Sequence, residues 1–150
     1  MSRLDFYHLQ TTDLEHTLPV LLEKAYALGK RIVVKIGTFE RVSYINTLLW
    51  TYDETSFLPH GVKSDGNADL QPVWLTDGDD NPNGATLLFL VDGANCDTAK
   101  LADFERVFYI FDGNNADMLA SARNFWKSAK EAGLECFYWQ QNELGKWQQK

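Results

Sequence analysis

The sequence is short of the residues that metal, redox and phosphate chemistry require. Only two cysteines occur among its 150 residues. Cys96 and Cys136 form no CxxC pair and no ligand cluster, which argues against a disulfide scaffold and reads as two reduced thiols of a cytosolic protein. His8, His16 and His60 are scattered without metal-ligand spacing, so no metal centre is expected. No apolar run approaches the length of a membrane span, and the opening residues lack a long apolar signal region. A cytoplasmic protein without membrane contact is therefore expected. Basic residues are also in the minority, 14 against 21 acidic, for a net charge of −7. Such a field does not gather nucleic acid over the whole surface. Any service to DNA is expected to be indirect or confined to a local basic patch.

What is present is ordinary globular material, 45% hydrophobic and 23% charged, enough for one core without cross-links. The length suits a single domain over residues 1–150. Residues 3–9 alternate as a strand, with Leu4, Phe6 and His8 on one side and Asp5 and Tyr7 on the other. Residues 17–28 read as a helix with Pro19 in its first turn and Leu18, Leu21, Leu22, Ala25 and Leu28 as its buried stripe, stopped by Gly29. Further strands are expected at 31–36, 72–76, 86–91, 107–111 and 135–139. Helices are expected at 39–50 and 116–132, with a short one within 96–104. The stretch 51–71 reads as irregular, and the tail after 139 as polar apart from Leu144 and Trp147. Alternating strands and helices, with apolar central strands, predict a three-layer α/β/α domain with a mainly parallel sheet.

Catalytic signatures are missing. There is no GxxxxGK[ST] loop, no GxGxxG after the first strand and no GxSxG elbow. Two strands end in Asp-Gly, at Asp92 and Asp112. A nucleotide- or Mg²⁺-dependent α/β enzyme would place aspartates there, whereas the simpler reading makes both pairs turns. Without a phosphate cradle the simpler reading is preferred. No catalytic residue and no cofactor are expected.

Two segments ask for more. Around the end of the second helix, Trp50, Tyr52, Phe57, Leu58 and Pro59 crowd a loop. They either face a partner or plug the edge of the sheet. On the last long helix, Arg123, Lys127 and Lys130 recur at i, i+4 and i+7 on one narrow face beside Trp126. No acid stands four residues before any of them to balance the stripe. This is either a solvated face with Trp126 packed inward or a seat for an acidic peptide ending in an apolar residue.

Several strings together resemble the chi subunit family of bacterial DNA polymerase III. They are Phe6-Tyr7-His8-Leu9, Gly29-Lys30-Arg31-Ile32-Val33-Val34, Leu49-Trp50 with Ser56-Phe57-Leu58-Pro59-His60, and Arg123-x-x-Trp126-Lys127 with Ala132-Gly133. The resemblance spans nearly the whole chain. It implies a Rossmann-like fold without a nucleotide site, and a non-catalytic accessory subunit. It further implies a bridge from the clamp loader, through the psi subunit, to the acidic C-terminal tail of single-stranded DNA-binding protein. Arg123, Trp126 and Lys127 fall by resemblance at the tail site, and Lys130 is expected to add long-range attraction to it. Trp126 stands where the family often has tyrosine. Trp50, Phe57, Leu58 and Pro59 fall in the region used for psi, with His60 holding the loop.

Overall fold

A computed structural model describes residues 2–52 and 58–150. All its strands join one sheet, in the order β3-β2-β4-β5-β1-β6-β7. The strands are β1 (Arg3–Leu9), β2 (Ile32–Ile36), β3 (Val73–Thr76), β4 (Leu87–Val91), β5 (Arg106–Asp112), β6 (Glu135–Gln141) and β7 (Trp147–Gln149). The first six are parallel, and β7 returns antiparallel to β6. Helices α1 (Leu14–Ala27) and α2 (Phe39–Thr51) cover one face, while α3 (Thr98–Leu101) and α4 (Ala116–Glu131) cover the other. The architecture is the expected three-layer α/β/α sandwich with a mostly parallel sheet.

Alternation along β1 sets the two cores. Tyr7 and Leu9 join Leu18, Leu22, Ile45 and Phe89 on the α1/α2 side. Leu4 and Phe6 join Tyr109, Ala122, Phe125 and Ala129 on the α4 side. Burying a side chain such as Phe6 or Phe89 stabilises by about 1.5–3 kcal/mol, so central strands without a wet face are what apolar runs of this kind produce.

Three local expectations are corrected. The first helix begins at Leu14, where the Asp13 side chain accepts from the His16 N–H, so Pro19 sits in the second turn. Proline there cannot donate to the carbonyl four residues before it, and the packing of the helix overrides that loss. Leu28 is 66% exposed rather than part of the buried stripe, because the helix has ended at Ala27. Gly29 does close that end, with φ 76°. The polar tail also forms strand β7. Asn142 accepts from the N–H groups of Leu144 and Lys146 and shapes the hairpin turn that brings Trp147 back.

Candidate functional site

The last helix is built to show one face to water. Ala122, Phe125 and Ala129 are its buried positions, and small residues at two of them let the helix lie close over the sheet. Asn115 caps its first turn by accepting from Asp117 and Met118. Arg123, Lys127 and Lys130 are exposed, and Trp126 is half-buried. Among the described residues, none of the three cations makes an ion pair. Six other cations are paired among the described residues, Arg3, Lys30, Lys35, Arg41, Lys100 and Arg106.

Trp126 is fixed rather than loose. Its ring meets the edge of Phe6 at 5.1 Å and of Tyr138 at 5.8 Å. Lys130 Nζ stands 5.2 Å from its centroid, within cation–π range. Tyr138 comes from β6, directly across from Phe6 of β1. Its hydroxyl lies 2.7 Å from His8 Nδ1. Burial pushes the Tyr138 phenol up, while the positive charge of Arg123 pulls it down. Burial lowers His8 first, and Arg123 lowers it further against the opposing Asp112. Arg123 thus acts on both groups. The helix and β6 together present three cations along a wall of Trp126 and Tyr138. Sequence reading found the helix but not Tyr138 or His8. Their partnership joins residues 130 positions apart, and the parallel pairing of β6 with β1 that creates it has no local sequence signal.

The second expected surface is divided by the structure. Trp50 is 53% exposed, and its ring lies 4.4 Å from that of His60. Pro59 is partly exposed. Phe57 lies outside the described residues. Leu58 is 1% exposed and packs in the α1/α2 core, so its side chain holds the loop down and does not reach the surface. His60 is likewise buried, with Nδ1 2.8 Å from the Leu58 carbonyl and Nε2 3.3 Å from that of Asn46. It ties the loop to α2, as expected of a structural residue. Beside this region a cleft of about 820 Å³ runs between α2 and the loops of residues 62–82. Phe39 stands at its edge, 68% exposed, with Val42, Asn46, Val62 and Trp74 along it. The sequence reading did not single out this cleft, because its walls come from segments far apart in the chain.

Asp92 and Asp112 share the crevice at the carboxyl ends of the strands, a space of about 430 Å³. Asp92 is held there by Arg41, Nε to Oδ2 at 2.9 Å and the guanidinium NH₂ to Oδ1 at 3.3 Å. With Gly93 it turns the chain at positive φ, and Ala94 N–H closes the turn on the Val91 carbonyl. Asp112 accepts from the Asn114 N–H at 2.9 Å. Both aspartates stand in the turns that follow their strands. Among the described residues no group of His, Cys, Asp and Glu is arranged to hold a metal ion, and no helix is long and apolar enough to cross a membrane.

Comparison with known proteins bears on this arrangement. The sequence profile of the family described as "DNA polymerase III chi subunit, HolC" matches residues 1–136. The chain is also similar to a probable DNA polymerase III subunit chi of Rickettsia prowazekii (strain Madrid E). The two are 28% identical over 156 residues, covering 98% of this chain and 91% of the relative.

Proposed function

The chain belongs to the DNA polymerase III chi subunit family, and from that premise we propose that it is a non-catalytic link between the replicative polymerase assembly and single-stranded DNA-binding protein. Its α4 face grips the acidic C-terminal tail of that protein. The observation that carries this reading is the stripe of Arg123, Lys127 and Lys130, without an ion pair among the described residues, beside the fixed ring of Trp126 on a chain of net charge −7. Cations left without acids on an acidic protein are suited to an acidic ligand. Arg123 can hold a terminal carboxylate through two parallel hydrogen bonds, and Lys127 adds a point charge. Trp126 offers an apolar wall for the last side chain of the tail. DNA itself is reached through this partner.

The opposite layer carries the second contact. Trp50 and Pro59 face the psi subunit or an equivalent clamp-loader protein, Phe57 is assigned to that contact by resemblance alone, and Leu58 and His60 hold their segment from within. The two surfaces lie on opposite faces of the sheet, because α2 and α4 cover opposite faces. One chain can therefore hold both partners at once. Calorimetry of an acidic tail peptide with a terminal aromatic, against wild type and Arg123→Ala, tests the tail reading. Saturable, salt-sensitive binding that is weakened by the substitution is expected. Equal binding by both proteins, or none by wild type, would reduce α4 to a solvated face.

A further inference from the structure

The wall of the basic face is completed by β6 rather than by α4. Trp126 reaches over the sheet at the point where Phe6 of β1 and Tyr138 of β6 stand side by side. Tyr138 is only partly buried. A phenol ring that can rotate offers a poor wall, since ordering it on binding costs affinity. Here rotation is restrained from two sides. The Trp126 ring meets it edge-on at 5.8 Å. Its hydroxyl is bonded to His8 Nδ1 at 2.7 Å.

His8 is itself held. It is 8% exposed, its ring lies 5.1 Å from that of Phe111, and Gly113 packs against its other nitrogen. A methyl group at Gly113 would come within 1.9 Å of His8 Nε2 and 2.8 Å of the Leu9 carbonyl oxygen. The glycine is thus required by the approach of His8. Burial keeps the imidazole neutral near pH 7, so it can share one hydrogen bond with the phenol without adding a charge beneath Arg123.

We propose that Tyr138 is a second aromatic wall of the tail site, contacting the terminal apolar group of the tail opposite Trp126, and that His8 is a positioning residue that fixes Tyr138 through its hydroxyl. This rests on the tail-binding reading of α4. It places the terminal side chain in the angle between α4 and β6, with the carboxylate directed to Arg123, whose charge already acts on Tyr138 and His8. The occupant is an acidic peptide with a free carboxyl end and a bulky apolar last residue. A peptide amidated at its end loses the Arg123 contact, and one ending in alanine loses the wall.

The test is calorimetry of the tail peptide against wild type, Arg123→Ala, Tyr138→Ala, Tyr138→Phe, His8→Ala, His8→Gln and the His8→Ala/Tyr138→Phe double variant. Each is first checked by circular dichroism and thermal melting. Tyr138→Ala should weaken binding about tenfold, as truncation of a buried aromatic contact does. Tyr138→Phe and His8→Ala should each cost roughly threefold, the scale of one neutral hydrogen bond. The double variant should be no worse than either single one, because both remove the same bond. His8→Gln, which can still reach the hydroxyl, should recover most of the loss. If wild type binds and Arg123→Ala does not, while folded Tyr138→Ala binds as wild type, this inference fails and the tail site stands without it. Independent, additive losses in the double variant would overturn the positioning role. If Tyr138→Ala does not fold, Tyr138→Phe and the double variant still decide the matter. If wild type itself does not bind the peptide, both readings fall together.

Discussion

Asp5, in the middle of β1 and fully buried, accepts a hydrogen bond of 2.8 Å from Arg106 Nε on the adjoining strand. Its carboxylate also takes Arg3 on its own strand and the Trp139 indole N–H at 2.9 Å. One acid therefore joins β5, β1 and β6. A buried carboxylate is tolerated here because every lone pair of it has a donor.

Removing that acid leaves two guanidinium groups and an indole without their acceptor. Asp5→Ala should cost about 3 kcal/mol, the low end for breaking a buried pair, because both arginines keep part of their side chains in water. Asp5→Asn should cost less, since the amide oxygen still accepts. Urea unfolding measures both. A loss under 1 kcal/mol for Asp5→Ala would show that solvent readily replaces the carboxylate.

A second expectation concerns pH. Burial, then Arg123, hold the His8 imidazole below the ordinary histidine range. In the unfolded chain it takes up a proton near pH 6.5. Between that value and its lower folded value the unfolded state binds more protons, so stability rises with pH. This contribution is complete above about pH 6.5 and is lost as pH falls through the folded value. His16 works the other way. Its hydrogen bond to Asp13 raises it, so what it adds is complete below about pH 6.5 and is lost as pH rises through its folded value. In a His16→Gln background the melting temperature should therefore fall from pH 7.5 to 5.5 more steeply than in the His8→Gln, His16→Gln double variant. Identical slopes would mean that His8 does not titrate differently on folding.

Much of this arrangement was legible because period and burial coincide. Strand β1 was readable from the alternation of Leu4, Phe6 and His8, and α4 as the helical run 116–132 that Gly133 ends. The exposed cations on α4 were legible for the same reason, since helical spacing alone gathers Arg123, Lys127 and Lys130. Contacts between distant segments were not. Tyr138 looked like one aromatic among several in the last predicted strand, and only the parallel pairing of β6 with β1 sets it beside Phe6 and Trp126. Gly113 looked like a turn glycine, yet it is the approach of His8 that demands it. Leu58 stood in one motif with the exposed Trp50 but belongs to the core. Composition does not say which members of an aromatic loop turn inward.

Trp50 tests the second surface. Its ring is more than half exposed and rests against His60, so Trp50→Ala should change stability by no more than about 1 kcal/mol. Co-purification with the clamp-loader partner should fall at least tenfold if the ring is an interface anchor. Tail-peptide binding should not change, because α2 and α4 lie on opposite faces of the sheet. Loss of both bindings at once, with a lowered melting temperature, would show that Trp50 supports the fold instead.

Lys130 should separate steering from contact on the α4 face. It is exposed near the end of the helix, one turn beyond Trp126, and its ammonium stands 5.2 Å from the Trp126 ring centroid. An exposed cation–π contact is worth about 0.5–1 kcal/mol, so Lys130→Ala should loosen the ring slightly and raise the tail's dissociation rate by roughly twofold. The larger effect should be on association, since a rim charge draws an acidic peptide inward. That rate should fall several-fold at low salt, and the difference from wild type should shrink near 0.15 M, where the screening length is about 8 Å. Arg123→Ala should behave differently. Losing a charge-assisted hydrogen bond, worth about 1.5–3 kcal/mol, should act mainly on dissociation and persist at high salt. Stopped-flow measurements at two salt concentrations separate the two patterns. A Lys130→Ala effect confined to dissociation and indifferent to salt would make this lysine a direct contact of the tail, and would move the seat of the acidic residues one turn further along α4.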